Sequence, residues 1–283
     1  MDKTLNLLIS ITFLFFGAGH ALAQTGLYDS LGAQPPEIQA RYAFRHPGET
    51  LQFFGIEPGM TVMEGLPGGG WYSKVLLPYL GPEGKLIGAD YAASMYPLFG
   101  FFPQEFIDTK PTWVEDWTAE ASGWSGENGA AVSAFQLGSL PEDMHGTADA
   151  ALMIRAFHNL MRFEAQGGYL TAALQDLFAV LKPGGILGVV QHQAPDEMTA
   201  EWANGSHGYV KKATLIEIIQ QAGFVFEAES SINQNPVDQP GEGDVVWRLP
   251  PSFNGSQPGS PERARVMEIG ESNRMTLRFR KPE

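Results

Sequence analysis

The stretch Val62-Met63-Glu64-Gly65-Leu66-Pro67-Gly68-Gly69-Gly70-Trp71 decides how the rest of the chain is read. A short apolar run ends on a carboxylate and turns at once into three glycines. This reads as the end of a first buried strand, Thr61 to Glu64, followed by a turn whose backbone closely approaches something the size of a cofactor. The apolar residues from Trp71 to Leu80 then predict a helix whose unpaired N-terminal N–H groups face that ligand.

Working outward, Gly81-Pro82-Glu83-Gly84 stops the helix, and Lys85 to Asp90 reads as a second strand ending on an acid. Asp90 follows the glycines by about 20 residues, the separation at which a neighbouring parallel strand offers a carboxylate to ribose hydroxyls. A solvated strand-end aspartate is the alternative. Ala130 to Gln136 is a third strand, and Ala150 to Ile154 is a continuous apolar run of the kind buried on both faces of a parallel sheet. Its carboxyl end delivers Arg155-Ala156-Phe157-His158-Asn159, and ligands of open α/β sheets lie beyond the carboxyl ends of the strands. Further on come a helix from Tyr169 to Leu181, a break at Lys182-Pro183-Gly184-Gly185, and a strand from Ile186 to Val190 ending in Gln191-His192-Gln193. A loop carries Trp202 and His207 to a helix over Lys212 to Ala222, then a strand over Phe224 to Ile232. The alternation of Met275, Leu277 and Phe279 with polar neighbours predicts a last strand over Arg274 to Lys281. From Glu37 to Phe54 the pattern is helical with an interruption at His46-Pro47. Residues Asn233 to Gly259, rich in Gly, Pro and Asn, form a long flap. The aromatic patch Tyr91, Tyr96, Phe99, Phe101, Phe102 and Phe106 is either a lid or floor for the site, or core filling.

Composition bounds the function. With 43% hydrophobic and 18% charged residues in 283, the chain is globular. A formal net charge of −14 argues against nucleic acid or an anionic membrane as partner. The absence of cysteine removes disulfides, thiolate nucleophiles and zinc-thiolate sites. Residues 1–23 carry a charged start, an apolar stretch from Leu5 to Phe16 and Ala21-Leu22-Ala23, the pattern of a signal peptide cut after Ala23. That implies a periplasmic or secreted protein without stable membrane insertion; an uncleaved anchor is the alternative. Residues 24–36 read as an N-terminal arm and 37–283 as one domain.

Taken in order, these parts resemble the class I S-adenosylmethionine-dependent methyltransferases: V-M-E-x-x-P-G-G-G at the cofactor loop, Asp90 after strand two, A-D-A-A-L in strand four and L-K-P-G-G before strand five. More narrowly, P-G-G-G-W-Y, R-x-x-H-N and I-G-E-S-x-R-M-T-L-R-F are similar to an exported bacterial group of predicted methyltransferases. The resemblance implies a doubly wound, Rossmann-like α/β fold with a seven-stranded, mainly parallel sheet and an antiparallel closing strand. It implies S-adenosyl-L-methionine as cofactor and a small-molecule acceptor. It also implies that Glu64 organises the glycine loop, that Pro67, Gly68 and Gly70 approach the methionine part, that Asp90 accepts from the ribose, and that Gly138 and Ser139 meet the adenine. Leu66 departs from the pattern, standing where relatives have the first glycine of the loop.

Methyl transfer needs alignment and, for an oxygen or nitrogen acceptor, a base. His158 is the candidate base, with Asn159 orienting the acceptor and His192 and His207 as further catalytic groups; loop-holding histidines are the alternative. The three histidines together would suit a shared metal, but their spacing matches no ligand motif, and no metal is assigned. Tyr72, Arg155 and Arg162 either bind an anionic substrate group or are ordinary surface arginines with a neighbouring tyrosine. A nicotinamide dehydrogenase would share the glycine turn and Asp90, but Ser73 replaces the third glycine of that fingerprint. A periplasmic ligand-binding or metal-dependent protein that keeps this fold without methyl transfer is the other reading.

Overall fold

The computed structural model describes Gln24 and residues 26–283. The expected signal peptide, 1–23, lies outside the described residues. Seven strands form one sheet: β1 (Thr61–Gly65), β2 (Lys85–Asp90), β3 (Ala131–Gln136), β4 (Ala148–Ile154), β5 (Leu181–His192), β6 (Val225–Ser230) and β7 (Arg274–Arg280). Their order is β3-β2-β1-β4-β5-β7-β6. The pairs from β3 through β5 are parallel, and β7 runs antiparallel between β5 and β6. The chain winds outward from β1 through β2 to β3, then returns to β4 on the other side of β1, so the strand order reverses between β1 and β4. In such sheets the carboxyl ends at the reversal frame a crevice, and both the glycine turn and Arg155–Asn159 leave the sheet there.

Side chains alternate across each strand and feed two cores. Val62 packs with Leu51, Phe54, Leu76 and Trp117 on one face, and Met63 with Met153, Leu174 and Leu177 on the other. The first face is covered by helices Pro47–Phe54, Ser73–Leu80 and Trp113–Ser125, the second by Tyr169–Val180 and Lys212–Gln221. The result is the three-layer arrangement expected.

Local departures have local causes. The helical pattern from Glu37 breaks into Pro36–Gln39, Tyr42–Arg45 and Pro47–Phe54, because His46 turns left-handed at φ 41° ahead of a proline that cannot donate. The helix expected from Trp71 begins at Ser73, with Trp71 held beneath the Arg45 guanidinium. The Lys182–Gly185 break is absorbed into β5 as a register shift against β4. Part of the expected arm is helical over 26–32 and buries Leu27 and Leu31 in the first core. In the flap, 233–259, the only assigned element is the short turn Val246–Arg248. The flap is tied down by buried Asp238, which accepts from Tyr209 Oη at 2.9 Å, Arg248 at 2.9 Å and the Asn273 amide at 3.0 Å.

Candidate active site

The glycine turn forms one side of a cavity of about 830 Å³. Gly68 and Gly69 border it with bare backbone: a Cβ on Gly69 would meet nothing within 4 Å, and Gly68 sits at φ 54°, where a side chain is strained. Gly70 answers a different need. At φ 78° its Cβ would lie 2.3 Å from the Trp124 ring, so this glycine lets helix Trp113–Ser125 close on the turn. Buried Pro67 accepts from the Gly70 amide at 2.9 Å and shapes the bend. Beneath the turn, Glu64 accepts from Ser73 Oγ at 2.6 Å. Burial, opposed by that hydrogen bond, pushes its carboxyl up to about 7.

Opposite the glycines stands Asp90, with the aromatic patch around it. All six aromatics named from the sequence border the cavity. Tyr91 and Tyr96 are buried in the core as well, whereas Phe101 is 68% exposed, so the patch serves as core and as wall. Asp90 has partners that sequence reading missed. Tyr96 Oη lies 2.7 Å from both carboxylate oxygens, the Tyr91 amide donates to Oδ1 at 2.9 Å, and Lys110 Nζ lies 3.3 Å from Oδ2. Lys110 is itself buried, over the Tyr96 and Phe106 rings. A carboxylate offers about four lone-pair positions, and the single Tyr96 proton cannot satisfy both oxygens, so room to accept a ribose hydroxyl remains.

A second chamber of about 330 Å³ adjoins the first and shares Leu66, Tyr91, Asn159, Trp247 and Ser252 with it. Leu66, at φ 56°, therefore stands on the boundary between the two. Asn159 donates to Tyr91 Oη at 3.1 Å, and its own Oδ1 is buried without a partner among the described residues. His158 and His192 line the chamber with ring centroids 5.5 Å apart. Nδ1 of His158 lies 3.4 Å from the Gln191 amide, and Nδ1 of His192 lies 2.5 Å from Ser272 Oγ. Burial, opposed by the Gln191 contact and reinforced by Arg155 and Arg162, pulls His158 down to about 4. Burial, with His158 and Arg155 beside it, holds His192 well below its usual value. Both rings are therefore neutral at pH 7, and His158 is a weaker base than an ordinary histidine.

Three residues named from the sequence lie elsewhere. His207 stacks on Trp202 at 4.9 Å and 17°, and Trp202 stacks on Tyr209, which lies between it and His192. It lines a separate depression with Glu197 and Glu201. The three histidines therefore do not converge, and no group of three or more acids or histidines able to hold a metal occurs among the described residues. Gly138 and Ser139 do not border the large cavity; their amides, with that of Leu140, bind the Asp176 carboxylate, the Gly138 bond being 2.6 Å.

A glycine turn after β1, an acid after β2 and an antiparallel β7 closing the sheet define the fold of the class I methyltransferases. No family model matches the chain, and no curated protein matches it in sequence. In structure it is similar to the 4+2 cyclase SpnF, with 18% identity, 86% of this chain and 82% of that one covered, and a TM-score of 0.52. It is likewise similar to a chain described as a methyltransferase in complex with the Haloferax volcanii methyltransferase activator Trm112, with 14% identity, coverage of 92% and 98%, and a TM-score of 0.51. At such identity the likeness is one of fold.

Proposed function

We propose that the protein is an S-adenosylmethionine-dependent methyltransferase acting on a small molecule. One observation carries the reading: a cavity of about 830 Å³ under side-chain-free backbone opens onto a smaller chamber holding neutral histidines, at the strand-order reversal. The donor fits the larger space. Gly68 and Gly69 leave room for its backbone-bound part, and Asp90 retains an acceptor position. When bound, the cofactor supplies an electrophilic methyl group. The chain supplies orientation: Asn159 Oδ1, unpartnered at the junction, accepts from a neighbouring N–H or O–H of the acceptor, and the neutral imidazole of His158 takes up the proton that the methylated atom loses. Trp247 and Ser252 of the flap line both spaces.

Calorimetry of the purified protein with S-adenosylmethionine and S-adenosylhomocysteine tests this reading, and a metabolite screen with labelled methyl donor finds the acceptor. Absence of binding at millimolar cofactor would remove it. We also read residues 1–23 as an export signal, which places the activity outside the cytoplasm; N-terminal sequencing of protein recovered from cell fractions decides that. No helix among the described residues is long and apolar enough to cross a membrane.

The engagement of Asp90 by Lys110 and Tyr96, with Leu66 in place of a loop glycine, favours a second reading: a ligand-holding protein that keeps the fold without methyl transfer. The similarity to a cyclase supports the idea that this fold hosts other tasks. A ligand retained through purification and identified by mass spectrometry, without methyl turnover, would establish it.

A further inference from the structure

The smaller chamber has an unusual charge balance. Glu271 forms ion pairs with Arg41, with Arg45 at 3.3 Å and with Arg274 at 3.2 Å. Burial would raise its pKa, but the arginines hold it below the ordinary range. Arg155 is the fourth cation of the group and has no anion of its own. It leaves β4 at φ 60° and lines the chamber, and its side chain makes no hydrogen bond or ion pair among the described residues, sharing only the field of Glu271; its Nε is buried and unsatisfied. Arg274 Nε, nearby, is also buried without a partner. Burial, with Arg274 beside it, lowers Arg155 to about 10, still charged at neutral pH. A half-buried guanidinium whose Nε is buried without a partner is costly unless something anionic joins it. The same wall offers the Ser272 hydroxyl and the His158 and His192 rings, which add hydrogen bonds without adding charge.

We propose that this chamber is an oxyanion subsite, in which Arg155 receives the carboxylate or phosphate of a small anionic acceptor. Assigning that anion to the acceptor rests on the methyltransferase reading; the binding of an oxyanion does not. A guanidinium presents paired N–H donors that match carboxylate or phosphate oxygens. An anion held at Arg155 leaves the remainder of the molecule directed toward the larger cavity past Leu66, Tyr91 and Asn159, which line both spaces. The anion also neutralises a cation that depresses His158, making that ring a better base once the acceptor is bound.

The test uses the purified protein without any methyl donor, so failure of cofactor binding leaves it intact. Inorganic phosphate and acetate are titrated separately at constant ionic strength while the histidine ring resonances are followed by NMR. The expected result is a saturable shift of His158 and His192 with His207 unmoved, and the stronger of the two anions names the group the acceptor carries. Arg155→Gln is expected to weaken the binding about tenfold or more, and Arg155→Lys less. Unmoved His158 and His192 resonances with both anions, or equal affinity in a folded Arg155→Gln protein, would overturn the proposal. The wild-type titration alone decides it if that variant does not fold.

Discussion

Glu64 shows what one residue at the foot of the glycine turn does to the whole stability curve. Its folded pKa of about 7 lies above its ordinary value of 4.5, because burial outweighs the Ser73 hydrogen bond. The folded state therefore holds a proton that the unfolded state has released between those values. Stability from this group is complete below pH 4.5 and is lost as pH rises through about 7. By the size of the shift the loss is about 3 kcal/mol. Glu64→Gln keeps the Ser73 contact and removes the proton, so urea denaturation is expected to show a flatter pH dependence and a variant more stable than wild type at pH 8. Equal slopes for the two proteins would mean that Glu64 is ionised at neutral pH. His158 has the opposite sign. Its folded pKa of about 4 lies below 6.5, so its contribution is complete above pH 6.5 and fades as pH falls through about 4. His158→Gln is expected to reduce the acid-side loss of stability by about 3 kcal/mol over that window, with the part due to His192 remaining.

At the scale of elements, the glycine turn and helix Trp113–Ser125 hold each other in place. An alanine at Gly70 meets Trp124 and carries the strain of a left-handed backbone, and overpacking of this kind costs about 1 to 3 kcal/mol. Gly70→Ala is expected to lower the urea midpoint by that amount and to weaken cofactor binding, because the turn is displaced. Trp124→Leu in the same chain is expected to restore part of the stability by clearing the space, leaving the backbone strain. Without any restoration, the helix contact would not be what requires the glycine. The elements themselves were legible in the sequence: β2 runs from Lys85 to Asp90 as read, because its apolar run is bounded by Gly84 and an acid. Glu64 and Asp90 were also legible, since their spacing from the glycines follows from strand and turn length. Less could be read where partners come from distant segments. Lys110 reaches Asp90 from 20 residues away through an aromatic wall, and one lysine in a polar stretch gives no sequence signal. His207 carries the same letter as His158, yet Trp202 and Tyr209 stack between it and His192. Gly138 follows β3 as expected, but Asp176 on helix Tyr169–Val180 captures its amide.

Across the whole molecule, the two spaces are bordered by a flap that is anchored to the domain at several places, and one of them is a buried charge cluster. Asp238 draws together Tyr209 from the loop after β5, Arg248 from the flap and the Asn273 amide ahead of β7. Trp247, adjacent to Arg248, then lies across both the donor-sized cavity and the oxyanion chamber. Flap position is thus linked to both spaces in part through a buried carboxylate. Asp238→Asn keeps the shape and removes the charge, leaving Arg248 to its 3.3 Å contact with Asp244. Breaking a buried pair from one side costs about 3 to 5 kcal/mol. Here much of that cost is expected to appear as local opening, because the flap can detach while the two cores stay packed. Limited proteolysis should accelerate within residues 239–259 while the cooperative melt of the domain moves little, and phosphate or cofactor affinity should fall as Trp247 and Ser252 leave the site. Saturating ligand should slow the cleavage in wild type far more than in the variant. Cleavage at the wild-type rate with undiminished affinity would mean that the cap is held by its apolar contacts around Val246 and Leu249, and that Asp238 serves only to satisfy Arg248.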